Sequence, residues 1–184
     1  MTPPAYTAMM AHVKQTRALG QVAGLLSWDQ EVMMPPNGAG ARAEQAAVVE
    51  AISHQRRTDP QLGDWLHELE AARLNETEVA NVRLTRRSFD RSIKVPMALA
   101  EELARTAAHA QGIWAQAREA NRFADFAPIL TKTIQLKRQE AACLASDGRS
   151  AYDVLLDDFE PGMTVAVLQP LLESMRPRLS ALRQ

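Results

Sequence analysis

The strongest constraint on the fold is a long helical run that two prolines bring to a stop. From Ala5 to Met33 apolar residues recur at helical spacing, and Trp28-Asp29 lies near the end of this run. Proline lacks the amide N–H and its ring clashes with the preceding turn, so the helix cannot continue through Pro35-Pro36. Helical spacing resumes at Ala41. The sequence therefore predicts two helices joined by a short loop.

The rest of the chain also favours helices, and no segment shows the alternating pattern of a β-strand. The predicted fold class is all-α, a multi-helix array that forms one region over residues 1–184. The predicted helices run from Ala5 to Met33, from about Ala41 to Arg57, from Pro60 through Leu69, from Asn75 to about Lys94, from Pro96 to about Asn121, from beyond Pro128 to about Ser146, and from Thr164 through Leu182.

Local signals set several of these boundaries. Asp59 before Pro60 is typical of an N-cap followed by proline in the first turn, and Asn75 with a glutamate three residues later predicts a capping box. Thr164 is predicted to cap the last helix, and residues 122–128 are predicted to form a linker. Gly20 and Gly24 indicate either a close helix–helix approach or a break.

Composition excludes several classes of partner. The chain carries 21 basic and 22 acidic residues, a net charge of −1, so we expect no binding to nucleic acid and none to a membrane. No apolar run approaches the roughly 20 residues that span a bilayer. The N-terminal residues lack the pattern of a signal peptide, and the single cysteine excludes an internal disulfide. A cytoplasmic location is the simplest expectation.

The motifs that carry chemistry in zinc peptidases are incomplete here. A His-Glu-x-x-His helix needs two histidines four residues apart, but His67-Glu68 is followed by Ala71 at the second position. Glu50 and His54 share a helix face, and we interpret them as an ordinary solvated pair. The sequence therefore predicts no catalytic residue and no metal ligand. The acids at 157 and 158 are interpreted as a charged turn.

The three tryptophans are predicted to pack in the core, because each lies on an apolar helix face. Trp28 is the exception among the three because of its neighbour Asp29. That carboxylate faces the unfavourable, negative end of a helix dipole unless it has a partner. We hypothesise that Asp29 pairs with Arg42 across the proline loop and fixes that loop. Trp28, Asp29 and Arg42 are the candidate residues for a structural role or for a place near a cleft.

Several segments together resemble the N-terminal part of the carboxypeptidase Taq family of thermostable metallocarboxypeptidases. The order and spacing of these segments carry the resemblance, which covers essentially the whole chain. They are Trp28-Asp29 with Met34-Pro35-Pro36 and Arg42, Trp114 to Ala117-Arg118 with Asn121 and Phe126-Ala127-Pro128 and Leu130, and Tyr152-Asp153 and Leu155-Leu156 with Glu160-Pro161-Gly162.

The resemblance implies a larger helical zinc-peptidase cleft and a zinc- or cobalt-dependent exopeptidase. Such an enzyme removes residues from the C-termini of peptides, is cytoplasmic and is usually a homodimer. The family's His-Glu-x-x-His helix, third ligand and substrate-binding arginines lie downstream of the matching region. By resemblance, this chain forms part of the cleft wall, the catalytic part is absent, and the 184 residues alone are inactive.

Three interpretations follow. The first is an N-terminal region of a metallocarboxypeptidase, favoured by the helical pattern that still runs at Gln184. The second is a stand-alone helical interaction or dimerisation module without catalysis. The third, an unrelated helical bundle with its own metal or ligand site, is disfavoured by the missing ligand spacing. The first two differ in whether the gene continues past codon 184.

Overall fold

The computed structural model describes residues 2–145 and 148–183, which form helices and turns without a β-strand. This confirms the prediction of an all-α fold. Within these ranges no helix is both long and apolar enough to cross a membrane. The α-helices are α1 (Pro4–Val32), α2 (Ala39–Arg57), α3 (Pro60–Glu70), α4 (Glu76–Ser92), α5 (Met97–Glu119), α6 (Phe123–Leu144), α7 (Ala151–Leu156) and α8 (Val165–Leu182), with a single 3₁₀ turn at Pro36–Gly38 between α1 and α2.

The chain divides into two compact units, Met1–Lys137 and Arg138–Gln184, so α6 begins in the first and ends in the second. In the first unit, α2 packs against α1 and α5, while α1 also packs against α3, and α3 against α4. In the second unit, Ala141, Leu144 and Val154 are buried.

The apolar core of the first unit lies where α1 meets α3. Met9 and Leu66 are fully buried, and Ala5, Leu62 and Leu69 belong to the same cluster. These residues recur every three or four positions, so they lie on one face of each helix. Burial of each large apolar side chain contributes roughly 2 kcal/mol to stability. This cluster therefore holds α3 firmly against the N-terminal half of α1.

Helices α2 and α5 pack against each other, and most of their buried residues are small. Ala43 and Ala47 of α2 and Ala100 of α5 are buried, as is Thr106. Small side chains allow helix backbones to approach closely, which gives dense packing with little apolar area. The position of α5 therefore depends on the fit of its surface to α2.

Two predicted helix starts are confirmed. The Asp59 carboxylate accepts a hydrogen bond of 2.9 Å from the Gln61 amide at the start of α3. Asn75 and Glu78 form the predicted capping box, with side chain and backbone bonded reciprocally at 3.0 Å.

The predicted linker over residues 122–128 is wrong, because α6 already begins at Phe123 and contains Pro128. The turn is made within two or three residues by Asn121, whose positive φ of 51° is the left-handed conformation that asparagine tolerates. The Arg122 amide then donates to the Ala117 carbonyl at 2.8 Å, which closes the end of α5 in a Schellman-type turn. No longer linker is needed.

Neither prediction for Gly20 and Gly24 holds. Helix α1 runs without a break through both positions. A Cβ atom added at either glycine would meet no atom within 4 Å, so neither marks a close helix–helix approach in the part of the chain that the structure describes. Gly63 is different, because a Cβ there would lie 3.0 Å from the Phe89 ring, and its absence allows α3 and α4 to pack closely.

The second unit contains a cap that the sequence assigned to the wrong residue. Thr164 occupies the N-cap position of α8, but its side chain makes no capping bond. Asp153 of α7 does this instead, since its Oδ1 accepts from the Val165 amide at 2.7 Å while its Oδ2 accepts from the Ser150 hydroxyl at 2.9 Å. Asp157 similarly accepts from the Gly162 amide at 2.9 Å. The acidic segment therefore ties the turn before α8 to α7.

These bonds make Asp153 sensitive to acid. The Val165 amide, followed by the Ser150 hydroxyl, holds the pKa of the Asp153 carboxyl below its usual value. A lowered pKa in the folded state contributes stability that is present above the unfolded-state pKa and is lost as the pH falls through the folded-state value.

As the pH is lowered from 5 to about 2, we expect the free energy of unfolding to fall less in Asp153→Asn than in the wild type, because the variant lacks this carboxyl group. Urea unfolding at each pH measures this difference. Asp64→Asn, at an exposed position of α3, is the control and should follow the wild type. Identical pH profiles for Asp153→Asn and the wild type would contradict the prediction.

Candidate functional site

Arg42 joins the end of α1 to the start of α2. Its Nη2 lies 2.5 Å from Oδ2 of Asp29, and its Nη1 donates to the carbonyl oxygen of Leu26. Its Nε donates to Gln45 Oε1 at 2.9 Å, within α2. The Arg42 side chain is only 11% exposed and that of Asp29 is 37% exposed. The guanidinium is therefore fixed by acceptors on both helices.

The local sequence explains this geometry. The Asp29 carbonyl accepts hydrogen bonds from the amides of Met33 and Met34, and this ends α1 just before the prolines. The 3₁₀ turn at Pro36–Gly38 then reverses the chain, so that Arg42 in the first turn of α2 lies beside the last turns of α1. A cation is favourable at a helix C-terminus because it faces the negative end of the helix dipole. The hypothesised Asp29–Arg42 pair is present in the structure.

A groove of about 400 Å³ lies beside this ion pair, between α1, α2 and α5. Alanines of the three helices form much of its wall, and Arg42, Gln30, Glu50 and Gln111 supply polar groups. Gln30 Nε2 donates to the Ala108 carbonyl at 2.6 Å and so connects α1 to α5 across the groove. The groove is thus formed by the way these three helices pack.

Trp28 does not fill the groove and does not pack in the core. Its side chain is 54% exposed and that of Trp114 is 42% exposed, so the prediction of core packing is wrong for both. Arg118 lies over the Trp114 ring at 5.6 Å from its centroid. Trp65 is half-buried, and the ring of His12 meets it edge-on with the centroids 5.8 Å apart. The sequence pattern showed correctly that these tryptophans lie on apolar helix faces. It could not show which of those faces are buried within this chain.

Four charged side chains connect α2, α5 and α6. Arg105 binds both carboxylate oxygens of Glu44, at 2.7 and 3.2 Å, and also Glu102 at 2.8 Å. Lys132 of α6 lies 2.5 Å from the other oxygen of Glu102. Arg105 lowers the pKa of Glu44, Lys132 and then Arg105 lower that of Glu102, and the two carboxylates raise the pKa of Arg105. These shifts favour the charged forms of Glu44, Glu102 and Arg105.

Sequence reasoning missed this network. Glu102 and Arg105 are three residues apart on one helix, which is a visible signal. Glu44 and Lys132 come from other helices, and their approach depends on the way the helices pack.

The interpretation of Glu50 and His54 as a solvated pair is wrong. His54 is buried and its Nε2 donates to the Val95 carbonyl at 2.7 Å, which joins α2 to the turn before α5. Glu50 pairs with Arg57 instead, at 2.5 Å. His12 likewise donates from Nε2 to the Arg56 carbonyl at 2.8 Å. Both histidines serve as tethers between segments of the chain.

The remaining histidine of interest, His67, is on the surface as predicted, with 87% of its side chain exposed. Over residues 2–145 and 148–183, no group of three or more histidine, cysteine, aspartate or glutamate side chains is arranged to hold a metal ion. What the site can do is fix helices and shape a groove.

The chain is similar to known proteins over nearly its whole length. The family model of the carboxypeptidase Taq (M32) metallopeptidases matches residues 8–184. The chain is 33% identical, over 99% of its length, to thermostable carboxypeptidase 1 of Thermus thermophilus, of which it covers 38%. It superposes on the solved Pyrococcus furiosus carboxypeptidase with a TM-score of 0.79 and 26% identity, covering 99% of this chain and 37% of that one.

A third relative gives the same proportions. The structure of Trypanosoma cruzi metallocarboxypeptidase 1 matches with a TM-score of 0.75 and 29% identity, over 94% of this chain and 35% of that one. The chain therefore spans little more than a third of the length of each of these relatives.

The contacts of Arg42 predict a measurable loss on its removal. Arg42→Ala leaves the Asp29 carboxylate and the Leu26 carbonyl without their partner. Hydrogen bonds to charged groups contribute about 2 kcal/mol, and water can replace part of the lost bonding at Asp29, which is 37% exposed. We expect a loss of about 2 kcal/mol in the free energy of unfolding, with faster amide hydrogen exchange in the loop at 33–38. Arg83→Ala, at an exposed position of α4, is the control and should change stability by less than about 0.5 kcal/mol. Unchanged melting and unchanged loop protection in Arg42→Ala would rule out this role.

Proposed function

We propose that this chain, which belongs to the carboxypeptidase Taq (M32) family of metallopeptidases, is the N-terminal scaffold of a metal-dependent carboxypeptidase that removes residues from the C-termini of peptides. In this proposal the chain forms part of the cleft wall and does not supply the reacting groups. The observation that carries the proposal is the family match over residues 8–184 in a chain that spans 38% of its Thermus relative.

The structural roles of the chemically capable side chains support this proposal. The Asp29–Arg42 pair joins α1 to α2. A second set of ion pairs joins α2, α5 and α6, and it consists of Glu44, Glu102, Arg105 and Lys132. The buried His54 is bonded to a backbone carbonyl. Groups fixed in this way hold helices in place, which is the work of a scaffold.

The family implies a metal, and we propose zinc or cobalt for the full-length protein. A zinc ligand set needs three protein side chains, mostly histidine and carboxylate. The residues at 2–145 and 148–183 do not fit this requirement, because they offer no such cluster. In the proposal the metal is therefore bound by residues outside this chain.

The remaining features of the proposal follow from the family resemblance and from composition. The substrates are peptides, the full-length protein forms a homo-oligomer, and its location is the cytoplasm. A net charge of −1 supports the expectation of neither nucleic acid nor membrane as a partner. The missing C-terminal catalytic part is the principal partner of this chain.

The scaffold role predicts that the 184 residues have no peptidase activity of their own. With zinc or cobalt added, the pure chain should release no C-terminal amino acid from a test peptide, and it should bind less than one equivalent of tightly held metal after dialysis. Metal-dependent release of C-terminal residues by this chain would contradict the scaffold role. Amino acid analysis and metal analysis are the two measurements.

A chimeric enzyme tests whether this chain supports activity when a catalytic part is present. The matching segment of the Thermus carboxypeptidase is replaced by this chain, and metal-dependent release is measured with Arg42 intact, with Arg42→Ala and with the control Arg83→Ala. Activity that survives in the first and third proteins and falls in the second supports a scaffold that shapes the cleft. A folded, metal-loaded but inactive chimera contradicts it. The gene itself should continue in frame beyond codon 184 and encode His-Glu-x-x-His.

A second candidate function is a stand-alone, non-catalytic module for helix-mediated interaction or dimerisation. The observation that favours it is the apolar face of α8, where several large side chains are about half exposed. An exposed apolar patch of this kind marks a surface that binds protein. These side chains are Val167, Leu171, Leu172, Met175 and Leu179.

This surface predicts self-association of the isolated chain. Because α8 leaves its apolar face uncovered, we expect light scattering to show a mass that rises with protein concentration, and Leu171→Gln with Met175→Gln to return the chain to a monomer. A double substitution at exposed polar positions of α8, Gln169→Ala with Glu173→Ala, is the control and should leave association unchanged. A monomer at high concentration would count against both an uncovered interface and the stand-alone dimerisation module.

A further inference from the structure

The first unit contains a second cavity, of about 480 Å³, between α1, α2 and α4. It shares no lining residue with the groove beside Arg42. Its lining includes the side chains of Arg17, Arg56 and Arg57, and the lining residues in the described part of the chain include no acid. Arg57 is paired with Glu50, so Arg17 and Arg56 supply the positive charge of this rim in a protein that is close to neutral overall.

Arg56 is positioned without being neutralised by its partners. Its Nε donates to the Thr16 hydroxyl at 3.0 Å, and its Nη2 donates to the His12 carbonyl at 3.1 Å and to Gln15 Oε1 at 2.9 Å. All three acceptors are uncharged. Arg57 differs, because it is bonded to the carboxylate of Glu50. The charge of Arg56 is therefore held rigidly at the cavity and remains available to an anion.

Further donors lie around the same rim. Arg17 is exposed on α1, one turn beyond Val13, and α4 contributes the hydroxyls of Thr85 and Ser88. Guanidinium and hydroxyl groups are the donors that bind a carboxylate, and charge-assisted bonds are about twice as strong as neutral ones.

The other part of the lining is apolar. Leu62, Leu84 and Phe89 line the cavity together with Val13, and 57% of the Leu84 side chain is exposed. Pockets that bind small molecules are of this size and combine apolar walls with a few polar groups that set orientation. A ligand for this cavity therefore needs an anionic end and an apolar body.

We propose that this cavity binds a small organic carboxylate with an apolar side group. The carboxylate lies between Arg17 and Arg56, and the apolar group contacts Leu84 and Phe89. This proposal goes beyond the proposed peptidase role, and the cavity is lined by residues of α1, α2, α3 and α4 of this chain.

The test is a titration of the ¹⁵N-labelled chain, followed by amide chemical shifts at constant ionic strength. The probe is N-acetyl-L-leucine, which has the carboxylate and the apolar group. Acetate has only the charge, and N-acetyl-L-leucinamide has only the apolar group. We expect saturable shifts with the probe at the cavity-lining residues of α1, α2 and α4. Binding should be at least about tenfold weaker with either fragment.

Matched variants separate a built site from general charge attraction. Arg17→Gln should weaken binding of the probe about tenfold, because one charge-assisted bond is lost. Lys14→Gln removes the same charge from an exposed position one turn earlier that does not line the cavity, and it should leave the affinity unchanged. Both positions are exposed, so the fold is retained. Leu84→Asn should weaken binding of the probe but not of acetate.

Three results would overturn the proposal. Equal losses in Arg17→Gln and Lys14→Gln would mean that the protein surface attracts the anion without a site. Equal affinity for the probe and its amide would mean that the arginines take no part. Shifts that stay linear in probe concentration, or that lie away from the lining residues of α1, α2, α3 and α4, would mean that the cavity is not the binding site.

Discussion

The close packing of α2 against α5 is the constraint on which the first unit depends. Ala43, Ala47 and Ala100 lie buried at these helix surfaces, where small side chains permit a close approach but contribute little apolar area. An interface of this kind fixes the distance between helices better than it fixes their register, because alanine surfaces offer few distinctive knobs and holes. The register has to come from polar groups at the edges of the interface. Arg105 of α5, bonded to Glu44 of α2, is such a group.

The polar tethers are therefore a consequence of the small-residue interface. Arg105 lies on α5 with one carboxylate from α2 and another from its own helix, and Gln30 bonds α1 to the α5 backbone. Isolated surface ion pairs contribute little, but a network that includes a bidentate arginine has the geometry that does contribute. Arg42 has the same role on the α1 side, where its low exposure makes it the more valuable contact. The groove lies between these tethers, and its walls of small alanine side chains leave it unfilled.

Local signals predicted most of the fold, and tertiary contacts account for what was missed. Helical spacing, the Asp59 cap and the Asn75–Glu78 box depend on residues within four positions of one another, so the sequence alone contained them. The Asp29–Arg42 pair could also be inferred, because only a short loop separates the two residues. The cap of α8 by Asp153 and the burial of His54 depend on segments separated by 12 and 41 residues. The early start of α6 was missed because Asn121 made a turn that glycine or a longer linker usually makes.

The exposed apolar face of α1, which includes Trp28, connects the fold to the proposed function. Val22, Leu25, Trp28 and Val32 lie on one face of α1, and each of these side chains is about half exposed. The apolar spacing that predicted a core at Trp28 was therefore a genuine pattern, but these 184 residues do not bury it. A continuous apolar face that remains exposed to solvent indicates a surface to which another part of a protein binds. This face lies beside Asp29 and Arg42, on the helix that also forms one wall of the groove. Under the proposed scaffold role, the rest of the carboxypeptidase covers this face, and the Arg42 ion pair sets its position through the geometry of α1.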